Sequence, residues 1–233
     1  MNASRTARDR ARVELTREIK ETARRQLAVE GAQRLSLRAV ARELGMVSSA
    51  LYRYFPSRDD LLTQLIIDAY DGIGGAAEQA AAALPADRPQ ARWHAQCTAI
   101  RAWARANPHE FALVYGTPVP GYEAPEDTVA PASRVPIALL GTLRDADALG
   151  LLAGPADELP AGLAAQAAAI TEATGVSLPA AVTVRAVIAW SQLSGMISFE
   201  LFGTFAGTLE PADAFFEAAV ARMSDFVGLP PAA

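Results

Sequence analysis

Hydrogen-bonding side chains concentrate between Ser48 and Tyr54, a segment of about two helical turns. Leu51 and the nearby Phe55 fall on one side of this segment, which marks that side as the inward face. The outward residues are Ser48, Ser49, Tyr52, Arg53 and Tyr54. Hydroxyl and guanidinium groups in this arrangement bind phosphate oxygens and the polar edges of bases, so the segment predicts binding of a nucleic acid.

Short helices separated by a glycine are the elements that would position this segment. Ser36 can cap a helix whose apolar residues recur at helical spacing, and Gly45 ends that helix. Pro56 ends the next helix, and Ser57 opens a longer one that runs to about Ile73. Two short helices around a glycine-containing turn form a helix-turn-helix, whose second helix enters the major groove of duplex DNA.

Charge is distributed unevenly along the 233 residues. Residues 1–60 contain 13 Lys and Arg against 8 Asp and Glu, a net charge of +5, although the whole chain carries −5. This asymmetry predicts that a polyanion binds at the amino-terminal end. The basic residues that would neutralise phosphates there are Arg5, Arg8, Arg10, Arg12, Arg17, Arg38, Arg42 and Arg58.

The remaining sequence predicts an all-α protein of two domains. No segment shows the two-residue alternation of a strand. Predicted helices comprise residues 12–30, 89–106, 109–115, 134–152, 159–174, 178–205 and 211–227, with Gly154 and Pro155 separating two of them. The proline-rich stretch 116–131 predicts a loop. Glycines at 72–75 place the boundary between a domain of residues 1–72 and a domain of residues 73–233.

Composition and missing motifs exclude several classes of function. With 51% apolar residues the chain can build a core, and a single cysteine excludes a disulfide scaffold. No phosphate-binding loop, nucleophile elbow or His-Glu-x-x-His motif is present, so we expect no enzyme and no cofactor. His94, Cys97 and His109 do not make a complete ligand set, so we expect no metal site. The lack of a signal peptide and of an apolar run of about 18 residues predicts a cytoplasmic protein.

The segment LSLRAVARELGMVSSALYRYFPSRDDLL, residues 35–62, resembles the DNA-binding domain of TetR-family transcriptional regulators. The turn glycine, Ala-Leu-Tyr, the phenylalanine and the basic residue shortly before a leucine pair occur at family spacing, and the resemblance extends over residues 12–70. It implies a two-domain, all-helical homodimer with an effector-binding carboxyl-terminal domain. It also implies phosphate contacts from Ser36, Tyr52, Tyr54 and Arg58, and base contacts from Arg38, Ser48 and Ser49.

Two segments of the second domain are similar to the effector domain of the WHG-type subgroup of the TetR family. They are HEFALVYG at 109–116 and WSQLSGMISFELFG at 190–203. Side chains that could line an effector cavity are Trp93, Trp103, Phe111, Tyr115, Trp190 and Glu200. Aromatic residues at helical spacing more often belong to a core, and for Glu200 an internal partner is favoured over a ligand.

The last two predicted helices indicate a dimer interface. Ser191, Gly195 and Ser198 place small side chains on one helix face, and Phe216, Val220 and Met223 belong to the apolar stripe of the last helix. Two such helices from each of two subunits would form a four-helix bundle with two-fold symmetry.

These patterns together predict a ligand-responsive repressor. As a homodimer it would bind a palindromic operator in double-stranded DNA, and a small-molecule effector would release it. The alternative is a helical ligand-binding or dimerisation protein that carries the amino-terminal motif without using it to regulate genes.

Overall fold

The computed structural model describes residues 3–153 and 158–230, with side chains from residue 8 onward, and every regular element in these ranges is helical. This confirms the all-α prediction. Gly154 and Pro155, and the side chain of Arg5, lie outside the described part. The helices are α1 (Ala3–Glu30), α2 (Leu37–Glu43), α3 (Ser48–Leu51), α4 (Arg58–Ala82), α5 (Pro89–Ala106), α6 (Pro108–Tyr115), α7 (Val129–Ala148), α8 (Ala161–Thr174), α9 (Ala180–Leu201) and α10 (Asp213–Phe226).

Two compact units are present, and the first is discontinuous in sequence. It contains the chain up to Ala69 together with residues 109–128, and the second contains residues 70–108 and those from 129 onward. The predicted second domain, residues 73–233, includes residues 109–128. They belong with the first unit because Glu110 pairs with Arg24 at 2.8 Å and Tyr122 shares a hydrogen bond of 2.8 Å with Thr63.

Apolar residues at helical spacing hold the helices of the first unit together. Ile19 and Ala23 of α1, Val40 of α2, and Leu61 and Leu65 of α4 are fully or almost fully buried. A buried leucine stabilises a fold by about 1.5–3 kcal/mol relative to an exposed one, and this packing fixes the angles between the helices. Neither α2 nor α3 is long enough to be stable alone, so packing determines where the residues between them lie.

Helix α4 is continuous across the glycines that the sequence analysis used to mark a domain boundary. A Cβ atom at Gly72 would lie 2.8 Å from the Trp103 indole nitrogen, and one at Gly74 would lie 2.5 Å from the Arg134 Cβ. These glycines therefore allow α5 and α7 to approach α4 closely, and they do not end the helix.

Several predicted helix ends differ from the observed ones. Helix α3 ends at Leu51, three residues before the predicted end, and hydrogen-bonded turns continue to Phe55. The loop predicted for residues 116–131 ends earlier in the structure, because α7 begins at Val129. Pro131 lies in the first turn of α7, where the N–H that proline lacks would have no helical partner. Helix α10 begins at Asp213 instead of Pro211.

The second unit buries one side of α10 inside its own core. Phe216, Val220 and Met223 are at most 1% exposed, so they cannot contact a second subunit. Their assignment to the dimer interface is wrong. Apolar residues surround much of this helix, and the periodicity alone did not distinguish its inner side from the side that carries the exposed Phe215 and Phe226.

Helix α9 is long and apolar enough to cross a membrane, judged by length and composition within the described residues, whereas the sequence analysis expected no such segment. A core helix of a soluble protein passes the same test, and here only a third of the most apolar window is buried. Much of the apolar side of α9 is therefore not covered by the rest of the described chain.

Candidate nucleic-acid interface

Backbone and side-chain hydrogen bonds fix the geometry between α2 and α3. The Ser36 hydroxyl oxygen accepts a bond of 3.4 Å from the Ala39 N–H and caps α2. Gly45 adopts a φ of +66°, a left-handed conformation that favours glycine, and the Met46 N–H donates to the Ala41 carbonyl at 2.8 Å. This closed turn orients α3 relative to α2, as the sequence analysis predicted for a helix-turn-helix.

The exposed side of α3 carries the predicted recognition residues. Leu51 is fully buried, so it anchors the helix, while Ser49, Tyr52 and Arg53 are exposed and Ser48 is half-buried. A short helix with one buried residue per turn and polar groups on the outer side can enter a groove without exposing core.

Tyr54 follows α3 and lies against α1. The Arg12 guanidinium carbon is 5.4 Å from the centre of the Tyr54 ring, a cation–π contact. Tyr54 is half-buried and Arg12 is exposed. The contact therefore brings a cation from α1 and a phenol from the recognition segment to the same edge of the unit.

Arginines of the first unit fall into two groups. Arg38, Arg42 and Arg53 are exposed, and their side chains form no hydrogen bond or ion pair with another described residue. Arg17, by contrast, pairs with Glu14 and Glu21, whose carboxylates raise its pKa above the ordinary value. Arg17 is therefore engaged, whereas Arg38 and Arg42 of α2 and Arg53, two residues after α3, keep their positive charge available.

Arg58, predicted to contact phosphate, is already partly engaged. Its Nη2 donates to the carbonyl oxygens of Ala32 at 2.9 Å and Gln33 at 3.4 Å, and its Nη1 lies 3.1 Å from Asp59. These bonds attach the start of α4 to the 3₁₀ turn before α2. Arg58 thus has a structural role that the sequence did not reveal, because its partners are backbone carbonyls about 25 residues away.

Trp93 and Trp190 place unsatisfied donors inside the second unit. Trp93 is fully buried, and neither indole N–H has a hydrogen-bond partner among the described residues. The hydroxyl of Ser224 is buried and unpartnered in the same sense. The three side chains lie on α5, α9 and α10, which pack against one another. Buried donors without acceptors are rare in folded proteins.

Glu200 has an internal partner that the sequence analysis did not identify. Arg101, which is buried, donates to its two carboxylate oxygens at 2.7 and 2.8 Å, and the Arg101 pKa is raised by these bonds. Arg101 also lies 2.9 Å from Asp213 and stacks on the Phe216 ring. The available signal was Glu200 itself, the only acidic residue in the apolar helix α9.

The six predicted ligand-binding residues are divided between the two units. Phe111 and Tyr115 lie in the first unit with ring centres 4.9 Å apart, whereas Trp93, Trp103, Trp190 and Glu200 lie in the second. A cavity of about 210 Å³ in the second unit is lined by Glu200 and mainly by residues that were not predicted. These include Arg105, Phe205, Leu209, Pro211 and Asp213.

The side chains considered for a metal site have other surroundings. His94 lies 3.4 Å from Glu217, and Cys97 is buried, which raises the pKa of its thiol. Among the described residues no group of three His, Cys, Asp or Glu side chains could hold a metal ion.

Comparison with known proteins finds one family match in the amino-terminal part of the chain and one in the remainder, and the second match includes residues 109–128. The family described as bacterial regulatory proteins, tetR family, matches residues 19–65, and the tetracyclin repressor-like C-terminal domain matches residues 93–223. The HTH-type transcriptional regulators Rv1816 of Mycobacterium tuberculosis H37Rv and Mb1846 of Mycobacterium bovis are each 40% identical over 200 residues, 84% of either chain. The chain belongs to the TetR family of transcriptional regulators.

Solved structures agree with this TetR-family assignment. The protein SCO4313 is 33% identical, with a TM-score of 0.77 over 92% of this chain and 97% of that one. PfmR from Thermus thermophilus, a TetR-family regulator at 20% identity, shares the fold with a TM-score of 0.56 over 90% of this chain and 96% of its own. The chain is thus a DNA-binding regulator and not an enzyme, and the WHG-type assignment stays a prediction.

Proposed function

We propose that this TetR-family regulator is a homodimeric repressor that binds a palindromic operator and is released by a small-molecule effector. The observation that carries the DNA-binding part is the set of exposed arginines without partners around α3. Arg38 and Arg42 lie on α2, which packs against α3, and Arg53 closely follows α3, whose first residues are Ser48 and Ser49. An exposed cation that pairs with no carboxylate of its own chain is available for a phosphate or a base edge.

Distinct roles follow for the predicted DNA-binding residues. We assign base contacts to Arg38, Ser48 and Ser49, because the start of a recognition helix and the exposed face beside it reach the base edges. Phosphate contacts are assigned to Ser36, Tyr52, Tyr54 and Arg58. The Ser36 hydroxyl accepts from Ala39 and still has its own proton to donate, so capping and phosphate binding are compatible.

A second copy of the chain fits the exposed apolar side of α9 and α10. Ile188, Phe199, Phe202 and Phe226 are each between 42% and 53% exposed. Ser191 and Ser198 donate their hydroxyls to carbonyls four residues earlier, so they present no unsatisfied donor to a partner helix. We propose that this surface, with Gly195 at its middle, forms the isologous dimer contact. Burial against a partner also accounts for the apolar character of α9.

Effector binding is proposed for the second unit, around the unpartnered indole groups of Trp93 and Trp190. A mostly apolar ligand that carries acceptor oxygens would satisfy these donors. DNA binding requires the two recognition helices to lie roughly 34 Å apart, the spacing of successive major grooves. An effector weakens DNA binding only to the extent that it binds more tightly to a dimer in which this distance is different.

Selection of bound fragments from genomic DNA, followed by mobility shifts of the purified protein, tests this function. We expect a recovered duplex to contain two inverted half-sites and its affinity to fall by about 10³–10⁵ between 50 and 200 mM salt, as for about 6–10 phosphate contacts. Failure to bind any duplex at low salt would instead favour the alternative of a helical ligand-binding or dimerisation protein. A thermal-shift screen of small apolar acceptors tests the effector part separately.

A further inference from the structure

The residue that begins α3 differs in type from those that begin its two neighbours. Ser36 caps α2 and Ser57 caps α4, and each hydroxyl oxygen accepts a backbone N–H bond three residues on. The equivalent residue of α3 is Val47, which forms no side-chain cap bond because its side chain has no acceptor atom. The recognition helix therefore begins with a residue type that is poorly suited to starting a helix.

Packing within the chain does not compensate for this choice. Val47 is 69% exposed, so most of its apolar surface is in contact with water in the free protein. Its extended backbone, with φ −70° and ψ 136°, is the ordinary conformation of a helix cap, and a serine would adopt it equally well. Neither core packing nor backbone geometry therefore requires a valine at this position.

The position of Val47 indicates what could cover it. It directly precedes Ser48 and Ser49, at the end of the recognition helix that contacts base edges in a helix-turn-helix. The major groove is lined by hydrogen-bonding groups, and the apolar group it presents is the C5 methyl of thymine. Val29, which is also exposed, lies near the end of α1 and not at a helix start.

We propose that Val47 packs against the C5 methyl group of a thymine in each half-site and thereby selects thymine at that position. The inference rests on the proposed function, since it requires a duplex bound through α3. Valine at this cap lowers the stability of the free unit, and the methyl contact gives base specificity in return.

Replacing thymine by uracil tests the contact, because the two bases differ by that methyl group alone. In a duplex recovered by the wild-type protein, each thymine is replaced in turn by deoxyuridine, and affinity is measured by titration at constant salt. We expect one thymine per half-site at which uracil weakens binding about fourfold, the effect of burying one methyl group. Substitution in both half-sites should weaken binding about sixteenfold.

Two variants identify the residue responsible. Val47→Ser removes both methyl groups and supplies a cap, so the protein should bind the thymine and uracil duplexes equally and should unfold at a higher temperature than wild type. Val29→Ser is the control at another exposed valine of the same unit, and it should retain the wild-type response to uracil. Thermal unfolding of both variants confirms that each is folded.

Failure of this inference differs from failure of the proposed function. A protein that binds its selected duplex but responds to uracil at no position, or whose Val47→Ser variant keeps the full response, overturns the thymine contact alone. A protein that binds no duplex overturns the proposed function and the inference with it.

Discussion

Arg38 and Arg58 illustrate how partners within the chain decide what an arginine can do. Arg38 is exposed on α2 with no described partner, whereas Arg58 already donates to the carbonyls of Ala32 and Gln33. A guanidinium that forms no internal bonds can align with a base edge. One that is fixed to the backbone can offer only its remaining N–H groups, which suits a phosphate.

We predict that Arg38→Ala weakens binding to the operator by about 1–3 kcal/mol per half-site and relaxes the base preference at one position in each. Affinities for a set of single-base operator variants measure both effects. The control is Arg25→Ala, which removes another exposed arginine of the same unit that is occupied by Glu43 at 2.9 Å. Equal losses on operator and unrelated DNA for Arg38→Ala would refute a base contact.

Arg58→Ala provides the contrasting case. It should weaken binding to all duplex sequences alike, because phosphates are present in every sequence. It should also lower the thermal unfolding temperature, since two carbonyls lose a charged donor. A loss of affinity for the operator alone would show that Arg58 contacts a base and not a phosphate.

At the scale of elements, Arg24 joins three helices of the first unit. Its guanidinium lies 2.6 Å from Asp68 of α4 and 2.8 Å from Glu110 of α6, and Lys20 pairs with the same Asp68 at 2.7 Å. These side chains are 19–30% exposed, so water screens them less than it screens a surface pair. The network connects α6 to α1 and α4 through charged side chains.

We predict that Arg24→Ala lowers the free energy of unfolding by about 2 kcal/mol, because two partly buried carboxylates lose a charged donor. Arg25→Ala, which removes the adjacent exposed pair, should cost less than about 1 kcal/mol. Urea denaturation of wild type and of the two variants measures the free energies of unfolding. Equal effects of the two substitutions would mean that the Arg24 network is no stronger than a surface ion pair.

Asp145 of α7 makes the second unit sensitive to acid. Burial raises the Asp145 pKa, but hydrogen bonds from Arg92 and Arg144 at 2.7 Å each, with their charges, outweigh burial and lower the pKa below its ordinary value. A carboxylate with a lowered folded pKa contributes stability above its unfolded pKa of about 3.9, and that contribution disappears as the pH falls through the folded value.

We therefore predict that Asp145→Asn lowers the unfolding temperature at pH 7. The difference in unfolding temperature between this variant and wild type should decrease as the pH falls below about 4. Thermal unfolding of both proteins at a series of pH values from 7 to 2 measures this difference. A gap of constant size across that range would exclude ionisation of Asp145 as the cause.

Elements could be predicted from the sequence where the signal was local. Ser36, Gly45 and Ser57 mark helix ends through bonds within a few residues, and the structure has those bonds. Non-local effects were missed. The glycine at 72 accommodates Trp103 of another helix, and the partner of Glu110 lies 86 residues away, so no local pattern could reveal either.

Candidate-site residues show the same division. The polar face of α3 could be predicted because Leu51 marks the buried side and the polar residues on either side of it in the sequence are exposed. The inner side of α10 did not follow, because Phe215 and Phe216 are both apolar and adjacent, yet 39% and 1% exposed. Hydrophobic periodicity gives the width of an apolar stripe, but only packing decides which part of it faces the core.

At the scale of the whole molecule, the dimer that we propose would form through α9. A Cβ at Gly195 would meet no atom within 4 Å, so a larger side chain fits the single chain without a clash. We predict that Gly195→Glu yields a folded monomer that binds an operator much more weakly, because a charge buried in the contact has no partner. Analytical ultracentrifugation and mobility shifts measure both effects.

Gly141→Glu is the matched control for the dimer prediction. Gly141 lies within α7 and is also free of neighbours within 4 Å, so this variant carries the same added charge and the same helical substitution. It should sediment as wild type. A dimeric Gly195→Glu protein would eliminate this face of α9 as the contact between subunits.

The discontinuous first unit constrains how such a regulator can be recombined. Because residues 109–128 belong with the helix-turn-helix but follow α5 in the chain, no single crossover transfers the whole DNA-reading module from one relative to another. A hybrid joined between residues 70 and 108 would combine Arg24 from one parent with the residue at 110 from the other. Functional chimeras should therefore arise either from parents that share this charge pair or from two exchanges that move both stretches together.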